Sequence, residues 1–327
     1  MKALVYKSFG DPGVLEWVED CVEDWAEDWA EDWAEPAVPA NHVIVKVSAG
    51  SVNPKDVLLR KGKFSRTLAR DPLPRVVGMD IAGEVVEIGK NVPDIAVGDL
   101  IFGMTNRFSG GVHAEFAVFN ESEIARAPSN ISSVIASCVP LSAQTALQAL
   151  RDYCKVAPGH KVLINGASGG VGHFAVQIAK ALDAEVHAVC GPDHLDFVAA
   201  LGADMVYDYS VEPATQIASR FHCVFDVFGN FSRKNFAKQL GRKGVFVSTV
   251  PKMAAFRGEL LARVGLDRRN RLVQVKSCTS DLNQLREWIE SKRLIPHVEK
   301  VYPITAAQDA HRHIESKHTT GKIVLLF

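Results

Sequence analysis

The chain has 327 residues, of which 47% are hydrophobic and 23% charged, with a formal net charge of −1. That balance is the one globular proteins show, the length implies two domains, and no apolar run approaches the roughly 20 residues that cross a membrane. The six cysteines (Cys21, Cys138, Cys154, Cys190, Cys223 and Cys278) form no CxxC pair, which argues against a disulfide framework and a four-cysteine zinc site.

Leu4–Tyr6 and Leu15–Val18 read as strands. Between and after them the charge is uneven: residues 19–35 hold nine acids and no base, leaving 29 acids against 37 Lys and Arg elsewhere. Within that stretch EDWA repeats with a period of four, placing Trp25, Trp29 and Trp33 along one face of any helix it formed. Nine uncompensated acids make such a helix marginal, so the repeat is read as a tandem expansion in a surface loop, at residues 21–35. A docking helix is the other reading. The mildly basic remainder suits an anionic small ligand, and no Lys/Arg run is dense enough to make nucleic acid a partner.

Val43–Val47 alternates as a half-buried strand, and Asp80–Gly89, Gly98–Gly103 and Ala114–Phe119 add Gly-punctuated β segments. Together they predict a compact β-rich domain over residues 1–125. Ser133–Leu150 has helical character. Strands then alternate with helices: Lys161–Asn165, helix Val171–Leu182, Glu185–Val189, Met205–Tyr207, Val224–Val227, Val245–Thr249 and Leu272–Val275. This is the signature of a parallel sheet covered on both faces, over 126–289. From 290 to 327 short strands around a helix, 306–316, return to the first domain.

The sharpest motif is Val162-Leu-Ile-Asn-Gly-Ala-Ser-Gly-Gly-Val-Gly172, directly after a strand and opening a helix. In the G-x-G-x-x-G register it reads Ala167, Gly169 and Gly172. The second glycine admits a diphosphate, the third lets helix pack on strand, and the helix N-terminus supplies N–H groups. An NAD site usually ends the next strand with an acid, about 20 residues on, to bond the ribose 2′-OH. Here Val189 and Cys190 stand there, followed by Gly191, Pro192, Asp193 and His194. Nothing at the strand end repels a 2′-phosphate and no Arg or Lys grips one, so the reading leans to NADPH with NADH retained.

With these features in place the chain resembles the zinc-independent quinone oxidoreductases of the medium-chain dehydrogenase/reductase superfamily, in the branch of the chloroplast envelope quinone-oxidoreductase homologues. The resemblance spans the chain except 21–35. It rests on Ser51-Val-Asn-Pro-Lys-Asp56, Gly78-Met-Asp-Ile-Ala-Gly83, Gly98-Asp99, Pro140-Leu-Ser-Ala-Gln-Thr-Ala146, Ala167-Ser-Gly-Gly-Val-Gly-His173, Leu201-Gly-Ala-Asp204 and Gly321-Lys-Ile-Val324. It implies an α/β fold, a GroES-like β-rich catalytic domain joined to a doubly wound Rossmann nucleotide-binding domain. It also implies a homodimer, with a strand near Val245–Val250 pairing across the two-fold, and an enone or quinone as substrate in the cleft between domains; the scattered cysteines make a reducing cytoplasm the default compartment.

By resemblance Asn53 lies beside the nicotinamide amide and Thr145 near its ribose. Ala167, Ser168, Gly169, Gly170 and Val171 cradle the diphosphate, while Cys190, Gly191, His194 and Tyr209 lie toward the adenosine end. Asn53 and Lys55 are the candidate catalytic residues, with Asn53, Lys55 or a backbone N–H as the donor to the substrate carbonyl. The zinc relatives place a cysteine near Pro54–Asp56 and Gly-His-Glu at Gly78-Met79-Asp80, so no metal is expected. Two departures stand out: Asp193 replaces the arginine of relatives, and Val57–Phe64 lacks the tyrosine some use as proton donor. The expected activity is hydride transfer from NAD(P)H to an α,β-unsaturated carbonyl or a quinone. Alternatives are an alcohol dehydrogenase or enoyl-thioester reductase, or a crystallin-like, sensory or RNA-binding protein that binds nucleotide without turnover.

Overall fold

The computed structural model describes residues 1–19, 38–68, 71–250 and 269–327. The acidic tryptophan repeat lies outside them. Two compact units emerge, one of residues 1–141, 277–290 and 298–327, the other of 142–276 and 291–297.

The first unit is built on β strands. A three-stranded sheet has the order β2 (Leu15–Val18), β1 (Ala3–Tyr6), β4 (Arg75–Val76). A larger one runs β15 (Val298–Pro303), β16 (Lys322–Leu326), β3 (His42–Val52), β5 (Asp80–Ile88), β6 (Leu100–Met104), β8 (Ile124–Arg126), and β7 (Phe116–Asn120) also pairs with β3. Along β3 the inward Val43, Val45 and Val47 join Ile81, Val85, Ile101 and Phe119 in one core. The strand does not stop at Val47. After a register shift it continues through Ser51 and Val52, because β16 arrives on its free side and pairs Ile323 with Val52 and Val324 with Ser51. The alternation that reveals a half-buried strand is lost there, since Ala49–Val52 are all buried.

In the second unit six strands are all parallel: β11 (Met205–Asp208), β10 (Glu185–Cys190), β9 (Lys161–Asn165), β12 (Phe221–Asp226), β13 (Leu240–Ser248) and β14 (Asn270–Leu272). Numbered along the chain, this is the doubly wound order 3-2-1-4-5-6. The strands are near-continuous apolar runs because both faces are covered. Leu163, Val189, Phe221, Val224 and Phe246 pack on one face, and the helix Gly172–Ala181 contacts both β9 and β10.

Four expectations change. The helical stretch 133–150 is split into Ser133–Ala136 and Pro140–Gln148, because Pro140 lacks an N–H and restricts its predecessor. The last strand of the sheet ends at Leu272 rather than Val275. Beyond it the N–H groups of Gln274 and Lys276 donate to Tyr153 and Gln148 side chains instead of a neighbouring strand. Strand 245–250 is no open edge: β13 lies between β12 and β14. Finally, Cys154 and Cys223 form a disulfide, with Cα atoms 5.7 Å apart. Sixty-nine residues separate them in sequence. It is the return of β12 beside β9 that brings them together, so spacing alone could not reveal the pair.

Candidate active site

The Ser51–Asp56 segment joins the end of β3 to the helix Pro54–Arg60. Pro54 fits the first helical turn, and Asp56 closes a capping box by accepting the Asn53 backbone N–H at 2.8 Å. This turn places three polar side chains, Ser51, Asn53 and Asp56, in the interior of the first unit. Asp80, fully buried, accepts from Ser51 Oγ at 2.7 Å, from Asn53 Nδ2 at 2.8 Å and from the Leu141 backbone at 3.1 Å. Asn53 Nδ2 also donates to the Ser51 carbonyl at 3.0 Å, while Asn53 Oδ1 accepts from Lys322 Nζ at 2.5 Å. Both amide hydrogens are therefore committed inside the protein, which leaves the amide oxygen as the side chain's acceptor. Burial pushes the Asp56 carboxyl up to about 7, and the nearby Asp80 adds to the rise against the pull of Asn53, Lys322 and Lys55. Its Oδ1 has no partner among the described residues.

Lys55 is half-buried on the same turn. Its ammonium lies 4.6 Å from the centre of the Phe108 ring, which Phe64 meets edge-on at 5.1 Å. Burial holds its pKa below the usual lysine range.

In the second unit the glycine loop follows β9. The residue that turns the chain is Gly166, at φ +87°, one position before the Ala167 slot of the fingerprint. The N–H groups of Gly166 and Ala167 both donate to the Val189 carbonyl at 3.0 Å, tying the loop to β10. A Cβ on Gly172 would lie 2.0 Å from the Gly166 carbonyl oxygen, so glycine is required for the helix to pack on the turn. A Cβ on Gly169 would meet nothing closer than 3.6 Å. Its small size is thus not demanded by the protein's own packing, which fits a position that a ligand approaches. The N–H groups of Ser168, Gly170 and Val171 donate to no described residue. Three unspent donors at a helix N-terminus suit a diphosphate.

At the end of β10, Cys190 is buried and its thiol is pushed up to about 11 by burial, aided by Asp208. Gly191 faces Tyr209: a Cβ there would touch the ring at 3.4 Å. Tyr209 is 55% exposed and donates its N–H to the Cys190 carbonyl. Cys190, Gly191 and Tyr209 thus meet at one sheet end, next to the short 3-10 turn that carries Asp193 and His194.

Residues 39–129 match the family described as an alcohol dehydrogenase GroES-like domain, and residues 201–325 match a zinc-binding dehydrogenase. A chloroplastic quinone-oxidoreductase homologue of Spinacia oleracea is 30% identical over 88% of this chain and 90% of its own. The chain belongs to the quinone oxidoreductase family of the medium-chain dehydrogenase/reductase superfamily. An NADPH-dependent alkenal/one oxidoreductase of Arabidopsis thaliana is also 30% identical, over 99% of this chain and 79% of that one. The quinone oxidoreductase structure from Coxiella burnetii superposes with a TM-score of 0.84 at 28% identity, covering 100% and 99% of the two chains. One matched description names zinc, yet among the described residues no three His, Cys, Asp or Glu side chains group to hold a metal ion.

Thr145 is buried on the helix Pro140–Gln148. Asp226, which the sequence reading passed over, ends β12 beside β9, where the strand order reverses. It accepts from Asn165 Nδ2 at 2.8 Å and from the backbones of Gly229 and Phe231 at 2.9 Å. Ligands of doubly wound sheets bind at that switch point. A signal was present: an acid closing the apolar run Phe221–Asp226, followed by Gly229-Asn230.

Proposed function

We propose that this protein reduces activated alkenes conjugated to a carbonyl, or quinones, with NADPH preferred and NADH accepted, and without a metal. The observation that carries the reading is the glycine loop, with its three uncommitted N–H groups and its open Gly169 at the end of the first parallel strand. As a member of its family the protein is an NAD(P)H-dependent oxidoreductase. The relatives named for NADPH-dependent alkenal/one reduction and for quinone reduction support the substrate class.

Ser168, Gly169, Gly170 and Val171 would hold the diphosphate, with Ala167 fixing the loop from behind. Cys190, Gly191, His194 and Tyr209 would flank the adenosine end, and Thr145 the nicotinamide ribose. A reduced nicotinamide held by these residues would supply the hydride for the electrophilic β-carbon. Asn53 presents only an acceptor, which suits the carboxamide N–H group of a nicotinamide. Donation to the substrate carbonyl therefore falls to Lys55. Its ammonium, partly stripped of water beside Phe108, stabilises negative charge on the enolate oxygen more strongly than a solvated one would. Water delivers the α-carbon proton. We keep a homodimer and the cytoplasm as the assembly and compartment; a sizing column and fractionation check them, and among the described residues no helix is long and apolar enough to cross a membrane.

The test follows loss of reduced-nicotinamide absorbance with NADPH and with NADH against small enones, enals and quinones. Turnover with NADPH on enones or quinones is the expected result. Turnover with NADH alone would show that Asp193 has reset the cofactor choice. Binding of both cofactors with consumption of neither would replace the enzyme by a nucleotide-binding protein.

A further inference from the structure

The terminal Gly321-Lys-Ile-Val324 has no part in the chemistry described so far. Yet Lys322, the first residue of β16, is only 3% exposed. Buried lysines are rare unless their charge is met. This one does not hydrogen-bond to a carboxylate: its described contact is the 2.5 Å bond to Asn53 Oδ1, across 269 residues of sequence. An ammonium can donate and cannot accept, so the group facing it must be the amide oxygen. Asp80 makes the complementary demand on the other side, since its carboxylate takes an amide hydrogen. The amide of Asn53 is thereby fixed between a cation and an anion. A half-turn of the planar amide group would set N–H against ammonium and oxygen against carboxylate.

The charge count points the same way. Asp56 and Asp80 are both buried, and the Lys322 ammonium is felt at both. His113, also in reach of that charge, is held neutral with its pKa down to about 4 by burial. Lys55 is the other cation acting on Asp56.

We propose that Lys322 is a positioning residue: from the far end of the chain it locks the Asn53 amide with its carbonyl committed as an acceptor, and so readies Asn53 for the carboxamide of the nicotinamide. This rests on the reading of Asn53 as a nicotinamide contact and names the residue that sets its polarity. It also gives the C-terminal strand a part in cofactor recognition beyond completing the sheet.

The test compares two ligands by calorimetric titration: NADPH, and 2′-phospho-ADP-ribose, which lacks the nicotinamide. Lys322→Met removes the donor and the charge, and Lys322→Arg keeps the charge while displacing the donors. The expected result is that both variants bind the fragment as the parent does, while Lys322→Met binds NADPH about tenfold more weakly, the scale of a hydrogen bond to a charged group. Lys322→Arg should fall between. NADPH affinity unchanged in both variants, or equal losses for NADPH and the fragment, would overturn the proposal. Should Lys322→Met fail to fold, as its circular dichroism would show, Lys322→Arg decides on the same two criteria. A parent protein that binds neither ligand would instead sink the nucleotide reading itself.

Discussion

The asparagine network of the first unit and the glycine loop of the second treat hydrogen-bond donors in opposite ways. Around Asn53, both amide hydrogens, the Ser51 hydroxyl, the Leu141 N–H and the Lys322 ammonium all have internal acceptors. At residues 168–171 three backbone N–H groups donate to no described residue. A buried donor without a partner costs free energy, whereas a donor at a solvated helix start can wait for an anion. The first region is thus organised before any ligand arrives and offers it acceptors and a cation. The second offers donors that a ligand completes. The contrast implies that substitutions in the network reach stability first, and substitutions in the loop divide between stability and binding.

The largest effect should come from Asp80→Ala. It strips the acceptor from Ser51, Asn53 and Leu141 and leaves Lys322 without its anionic neighbour, at a cost of about 3–5 kcal/mol in denaturant unfolding. Lys55→Met tests whether the Lys55 ammonium acts on substrate: kcat should fall about a hundredfold, with NADPH affinity in titration unchanged. Equal loss of affinity would move Lys55 from chemistry to binding.

Asp56 sharpens the same side of the comparison through pH. Its folded pKa, about 7, lies above the ordinary carboxylate value. The folded state therefore binds the proton more tightly than the unfolded state does. The associated stability is complete below about pH 4 and is lost as pH rises toward 7, on the order of a few kcal/mol in total. Thermal melts of the parent should fall between pH 5 and pH 8. Asp56→Asn, which keeps a cap acceptor and cannot ionise, should flatten that slope; an unaltered slope would show that Asp56 is not its source.

The glycine loop gives the smaller, divided effects. Gly172→Ala drives a Cβ into the Gly166 carbonyl and should cost about 1–3 kcal/mol. Gly169→Ala meets only an ordinary contact, so its melting should stay within about 0.5 kcal/mol of the parent. Its NADPH titration should nevertheless weaken. If Gly169→Ala bound NADPH normally, the claim that this position is kept open for a ligand would fail.

What could be read from the chain follows from how far each signal travels along it. The strand Lys161–Asn165, the following loop and the alternation after it are local patterns; that first strand appears where the sequence places it, and the later strands keep their order with shifted ends. The turn itself is displaced by one residue: the fingerprint puts Ala167 in its first slot, but the positive φ belongs to Gly166, whose glycine the register counts as flanking. The site chemistry is less legible because its contacts are distant. Asn53 meets Asp80 across 27 residues and Lys322 across 269, and Asn165 meets Asp226 across 61. No periodicity links such pairs; the strand order does. Asn53 itself could be singled out from its motif, while the spending of both its amide hydrogens could not.

The disulfide has a topological consequence. By joining Cys154 to Cys223 it closes a covalent ring that contains β9, the glycine loop, the helix Gly172–Ala181, β10 and β11. A single proteolytic cut anywhere inside that ring would leave the polypeptide in one piece until a reductant was added. The segment that reads as the diphosphate cradle is therefore the part of the chain that can be severed without being separated from the rest.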